Sequence, residues 1–303
     1  MIRRGWLLAV GGGLCLALVA SEAAGQGRTP GWSRTEATPT RVMVRAVAND
    51  AKVIGSGVGG ARITIRESGT GAVLAEGVQE GSTGSTEGIM RTPRARGLTA
   101  YGADPEAAGF LATLDLVEPT RVEISAEGPL GMPGAMQRAT KTLLLLPGRD
   151  IVGEGVILVL NGFTVELLEP APAAVDPETG GDRAAAGAAE ESSQETAGGR
   201  AKGAGAVRVA GGPIRVRAKV TMLCGCPTEP GGLWDSEQME IVARLILDGG
   251  VVAEVPLAYG GERSVHVGEL PDPGPGPAVV EVIAADPARA NFGLARREVL
   301  VTR

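Results

Sequence analysis

The sequence predicts an all-β protein: two immunoglobulin-like β-sandwich domains joined by a disordered acidic linker. Three observations predict it. Apolar and polar residues alternate with a period of two along much of the chain, and no stretch sustains a 3.6-residue period. Gly and Pro are abundant, 47 and 20 of 303 residues, which favours tight turns and short strands over long helices. Residues 170–206 are acidic, low in complexity and without large apolar side chains, so they split the patterned sequence in two.

Residues 1–23 read as a signal peptide. Arg3 and Arg4 supply a charged start, "GWLLAVGGGLCLALVA" an apolar run short for a membrane span, and Ser21-Glu22-Ala23 a cleavage site with small residues at −3 and −1. Export, to the periplasm or the outside, is therefore expected, with no membrane span after cleavage. Cys15 would leave with the signal, because the residues before it do not make a lipoprotein site. Residues 24–40 read as a disordered lead-in.

Residues 41–169 are expected to form the N-terminal sandwich. Val42, Val44 and Ala46 share one strand face; Ile63 and Ile65 share another, with Arg62, Thr64 and Arg66 opposite; Val122 and Ile124 repeat the pattern. "KTLLLLPG" reads as a strand buried on both faces. "GVILVLNGFTVELLEP" reads as a hairpin turning at Asn161-Gly162. Asp104-Pro105-Glu106 could open one short helix. Residues 170–206 cannot bury enough surface to offset their ordering entropy and read as a flexible linker marking the domain boundary.

Residues 207–303 are expected to form the C-terminal immunoglobulin-like sandwich. Ile214, Val216, Ala218, Val220 and Met222 point inward, with Arg215, Arg217, Lys219 and Thr221 outward. Breaks at Asp248-Gly249-Gly250 and Gly260-Gly261 separate further strands, and a hairpin pair closes the chain. "GPAVVEVIAADPARANFG" resembles the closing hairpin of bacterial immunoglobulin-like modules. "GGARITIRESGTGAVLAEGVQEGSTGST" is similar to carboxypeptidase-regulatory or transthyretin-like sandwich domains; residues 83–109 depart from that pattern. The resemblances cover roughly 100 and 50 residues and imply spacer, binding or scaffold roles.

Composition narrows the function. A net charge of −6, a pI near 5.1 and 3% aromatic residues argue against nucleic acid and anionic membranes as partners. A hydrolytic triad needs a base, and the one His, His266, stands between Val265 and Val267, so it is expected to face solvent. "GSGVGG" at 55–60 precedes a strand rather than a helix and reads as a turn. Asp235, Glu237 and Glu240, with Asp286 and Asn291, read as solvated loops, or as part of a calcium site.

The chemically distinctive segment is "VTMLCGCPTEPGGLW". After Cys15 is lost, Cys224 and Cys226 are the only thiols, in a compartment that permits disulfides. Three readings compete. The first is an internal disulfide clipping an exposed loop, at the far end of the spacing a disulfide spans. The second is a Cu(I) site of Met222, Cys224 and Cys226. The third is free thiols, or disulfides to a partner chain. Trp234 is expected to pack the loop onto the domain edge. Together these features predict a non-enzymatic exported binding or scaffold protein, docking on another exported protein or cell-surface assembly. The alternative is a periplasmic thiol or Cu(I)-handling protein.

Overall fold

The computed structural model describes residues 36–171 and 206–303, and regular structure among them is almost wholly β. The expected signal peptide, most of the expected lead-in, and residues 172–205 of the expected linker lie outside the described residues.

The first module contains β1 (Thr38–Ala48), β2 (Ala61–Glu67), β3 (Val73–Gln79), β4 (Phe110–Leu116), β5 (Thr120–Gly128), β6 (Gln137–Leu145) and β7 (Ile151–Leu160). They form a sheet β4-β1-β7 facing a sheet β3-β2-β5-β6. The inward residues are those the alternation selects: Val42, Val44, Ala46, Ile63, Ile65, Val122 and Ile124 are all fully buried. β1 starts three residues before the expected position 41.

The second module contains β8 (Phe163–Glu169), β9 (Val207–Ala210), β10 (Ile214–Met222), β11 (Glu240–Leu247), β12 (Gly250–Pro256), β13 (Ala258–Tyr259), β14 (Val265–Leu270), β15 (Gly276–Asp286) and β16 (Asn291–Thr302). One sheet runs β13-β14-β10-β8 and the other β12-β11-β15-β16-β9. Lettering β8, β10, β11, β13, β14, β15 and β16 as A to G gives A-B-E-D on one sheet and C-F-G on the other, the immunoglobulin arrangement. In both modules an early strand pairs in parallel with the last one, β1 with β7 and β9 with β16.

The all-β, two-sandwich class stands, but the chain passes between the sandwiches at a different place. Phe163–Glu169, expected as the return strand of an N-terminal hairpin, pairs with β10 instead, Phe163 opposite Met222 and Leu167 opposite Ala218. Asn161-Gly162 is therefore the crossing between modules rather than a turn. Gly162 sits at φ +144°, outside the left-handed pair of angles a two-residue hairpin turn requires. The acidic tract does connect two strands, but they are β8 and β9 of one sandwich.

Three smaller expectations also change. "KTLLLLPG" is an edge strand, because β6 ends its sheet; Leu144 is 49% exposed while Leu145 is buried. Asp104 opens no helix. Its carboxylate accepts the N–H groups of Ser85 and Glu106, and the helical turn lies at Glu87–Arg91. His266 is buried rather than solvent-facing, since β14 sets it opposite Ala218, an inward residue of β10. The alternation Val-His-Val fits either face, and the pairing register chooses.

Candidate functional site

The region where the two modules meet holds a connected set of polar groups. Three turns supply it: Asn49-Asp50 after β1, the crossing Asn161-Gly162, and Asp286–Asn291 between β15 and β16. Asn291 is fully buried at the centre. Its Oδ1 accepts the Gly162 N–H at 2.9 Å, and its Nδ2 donates to the Asn49 carbonyl at 3.3 Å. Asn49 Nδ2 donates to the Arg289 carbonyl at 2.5 Å, and Asn161 Nδ2 reaches the Ala290 carbonyl at 3.3 Å. Polar groups withdrawn from water persist only when partnered in this way.

Arg289 ties the same turns together electrostatically. It lies 2.9 Å from the Asp286 carboxylate and 2.6 Å from that of Asp50. Its hydrogen bond to Asp286, reinforced by the charge of Asp50, holds its pKa above the ordinary arginine value. The Asp286 side chain also accepts the Arg289 N–H, capping the short turn there. Asp286 is thus already engaged by a cation of this chain. Asp235 is engaged as well, accepting the N–H groups of Gly231 and Glu237, which hold its carboxyl below the usual range. Among the described residues no group of three or more His, Cys, Asp or Glu is gathered in a way that could hold a metal ion.

Trp234 is the second module's anchor on the first. It is buried, and its Nε1 donates to the Asp50 carbonyl at 2.9 Å. The expectation that it packs its own loop is thereby extended across the joint. Around Asp50, Trp234, Gln238 and Arg289 lies a polar cavity of about 310 Å³.

The Cys-Gly-Cys segment meets the joint from the other side. The Gly225 N–H bonds the Met222 carbonyl and the Met222 N–H bonds the Cys226 carbonyl, so the chain reverses tightly at the end of β10. Cys224 and Cys226 lie at disulfide distance, with Cα atoms 5.4 Å apart. Both are buried, 3% and 5% exposed, as is Met222. The expected exposed loop is therefore corrected, because the turn folds against the first module. A Cβ at Gly225 would come within 2.8 Å of Val58 Cγ1, and its φ of +78° independently favours glycine.

Between these contacts the modules enclose a cleft of about 490 Å³. The first module lines it with Val58 and the segment Met132–Ala135. The second lines it with Thr164–Leu167, Lys219, Thr221, Gly225 and Ala295–Arg297. Gly59 shapes the first wall: its φ is +84°, and a Cβ there would lie 2.2 Å from the Gly131 nitrogen. That close approach lets Gly131 N–H bond the Val58 carbonyl and fixes the wall. On the second wall the hydroxyls of Thr164 and Thr221 bond each other at 2.6 Å. The cleft lining thus mixes apolar surface with four charged side chains, Glu166, Lys219, Arg296 and Arg297, a composition suited to binding.

Met222, Cys224, Cys226 and Trp234 stand on the one segment that the sequence marks as distinctive; the contact of that segment with the first module has no signature in the sequence. Asn49, Asp50 and Arg289 carried no signal, while Asn161-Gly162, Asp286 and Asn291 were noticed for other reasons.

No family model matches the chain, and no curated protein does. Similar solved structures include an engineered protein (15% identity, TM-score 0.28), over 52% of this chain and 24% of that one. They also include fibronectin(III)-like modules of Clostridium thermocellum CbhA, at 10% identity and TM-score 0.24 over 87% of this chain and 94% of that one. A chimeric titin Z1Z2 is similar at 12% identity and TM-score 0.22, over 88% and 98%. The chain spans about a quarter of the engineered protein. At these scores the fold rests on the strand pairing described above.

Proposed function

We propose that this chain is a non-enzymatic, exported binding or scaffold protein that presents the cleft between its two β-sandwich modules to a partner. The observation that carries the reading is the joint. Asn291, Arg289 and Trp234 tie the modules through the Asn49-Asp50 turn, so the second module is built directly onto the first. Two sandwiches fixed in one pose offer a composite surface that neither offers alone, and clefts between modules are preferred binding places. The partner is another exported protein or part of a cell-surface assembly, and its contacting segment is apolar with a charged flank, matching Val58, Met132, Leu167 and Lys219.

A photo-crosslinking residue placed at Met132, with a control at Asp272 on a distant loop, tests this in cells. A discrete adduct from Met132 that is absent from Asp272, and that disappears when Ala135→Trp fills the cleft, is the expected result. Identical adducts from both positions, or none from Met132, would reject the cleft as the binding site.

A further inference from the structure

The outer face of the five-stranded sheet in the second module has a pattern that meets the cleft only at Arg296. Cross-strand partners put four charges in one row: Arg296 on β16, Glu281 on β15, Arg244 on β11 and Glu254 on β12. The signs alternate, plus, minus, plus, minus. Arg244 lies 2.6 Å from Glu254 and 3.8 Å from Glu281, and Arg296 also pairs with Glu281. Glu281 is 2% exposed although it points away from the sandwich core, because the two arginines cover it. Rows that are mostly apolar flank the charges. Leu294, Ile283, Val242 and Pro256 lie on one side; on the other, Glu298 on β16 is followed by Val279, Ile246 and Val251, with Val252 at the irregularity beside them. Leu294 is 46% exposed and Val252 55%.

We propose that this face is a docking surface for a second copy of the same chain. The charge row decides both the partner and the symmetry. Two such faces can be brought together by a two-fold axis lying in the interface. An axis along the row would set each charge over its own copy, plus on plus. An axis along the strands, passing between β15 and β11, sets Arg296 over Glu254 of the second copy and Glu281 over Arg244. Every charge of that row then meets its opposite, while Glu298 in the flanking row lies at its outer end, over β12 of the second copy. The same rotation returns each flanking row onto itself, Leu294 over Pro256 and Ile283 over Val242. A +−+− row flanked by mostly apolar rows is self-complementary under one two-fold and repulsive under the other.

Four strands about 4.8 Å apart and three residue rows about 6.8 Å apart cover roughly 400 Å² of flat area. Stable interfaces use about 800 Å² per partner, so the dimer is of the weak, concentration-dependent kind. The inference stands apart from the cleft and survives if the cleft binds nothing.

Sedimentation equilibrium of the purified chain across about 1 to 300 µM tests it. The expected result is a monomer–dimer equilibrium in the micromolar range. Leu294→Asp and Glu254→Lys should each raise the dissociation constant at least about tenfold, the first by desolvating a carboxylate and the second by facing Arg296 with a like charge. Leu294 is exposed, so circular dichroism and melting of Leu294→Asp should match the parent; Glu254→Lys also loses its pair with Arg244 and should melt slightly lower, with unchanged circular dichroism at the working temperature. If Leu294→Asp fails to fold, Val252→Asp reads the same effect. A chain that stays monomeric throughout, or a dimer that neither substitution weakens, overturns the proposal.

Discussion

Gln79 lies in the first sandwich and His266 in the second. Each is a polar side chain buried on a strand, and the two modules treat them in opposite ways. Gln79 Oε1 accepts the Ala46 N–H at 2.7 Å, and its Nε2 donates to the carbonyls of Ala46 and Ile54 at 3.0 and 2.7 Å. The amide thus pins β3 to β1 and joins the two sheets. His266 is equally buried, yet neither ring nitrogen has a hydrogen-bond partner. It lies with its ring edge-on to Tyr259, 6.1 Å between centroids. A buried polar group that is fully partnered specifies one geometry, whereas one left unpartnered costs stability and makes it depend on conditions. The first module should therefore be sensitive to a change of shape at its polar residue, and the second to a change of charge.

The sharpest way to break the comparison is Gln79→Leu. It removes three hydrogen bonds and strands the Ala46 N–H, so a loss of about 3 kcal/mol is expected in chemical denaturation. A change under about 0.5 kcal/mol would mean that Gln79 is no staple.

The joint comes next. Asn291→Ala leaves the Gly162 N–H and the Asn49 carbonyl without their side-chain partner and should cost about 2 kcal/mol. It should also split one calorimetric transition into two, because Asn291 couples the modules. A single unshifted transition would show that the modules hold together without it.

The smallest effect is at His266. Burial pushes its pKa below the ordinary 6.5, while the nearby Ser264 backbone, too poorly placed to count as a hydrogen bond, opposes the shift. The unfolded chain therefore binds the proton more readily. The stability of the neutral form is fully present above pH 6.5 and declines as pH falls below it, by at most about 1.4 kcal/mol per pH unit from this one group. His266→Leu should flatten that slope and leave stability at pH 8 equal or higher. An identical slope in the variant would place the proton uptake elsewhere.

These residues also show what was legible in the sequence. The alternation in Ile214–Met222 and Arg121–Ala126 reports the core face directly, because a strand with one buried face must repeat every two residues. Turns such as Asp248-Gly249, at φ +49° and +80°, are written in the residues that tolerate those angles. His266 was not legible, since its face depends on pairing with Ala218, far away in sequence. The joint was not legible for the same reason: Asn49, Asp50, Arg289 and Asn291 acquire meaning only once three turns converge. Asn161-Gly162 was misread because the same dipeptide serves a hairpin turn and a crossing, and only the strand that follows tells them apart.

The position of the acidic tract has a consequence for engineering. The tract leaves the second sandwich after Pro170, whose carbonyl accepts from Arg297, and returns to the same sandwich at Val207, so both ends are held by one module. Lengthening such a closed loop is inexpensive, about 0.6 kcal/mol for each doubling, and moves neither module. A folded passenger could be spliced between Ala171 and Ala206 without interrupting a strand of either module.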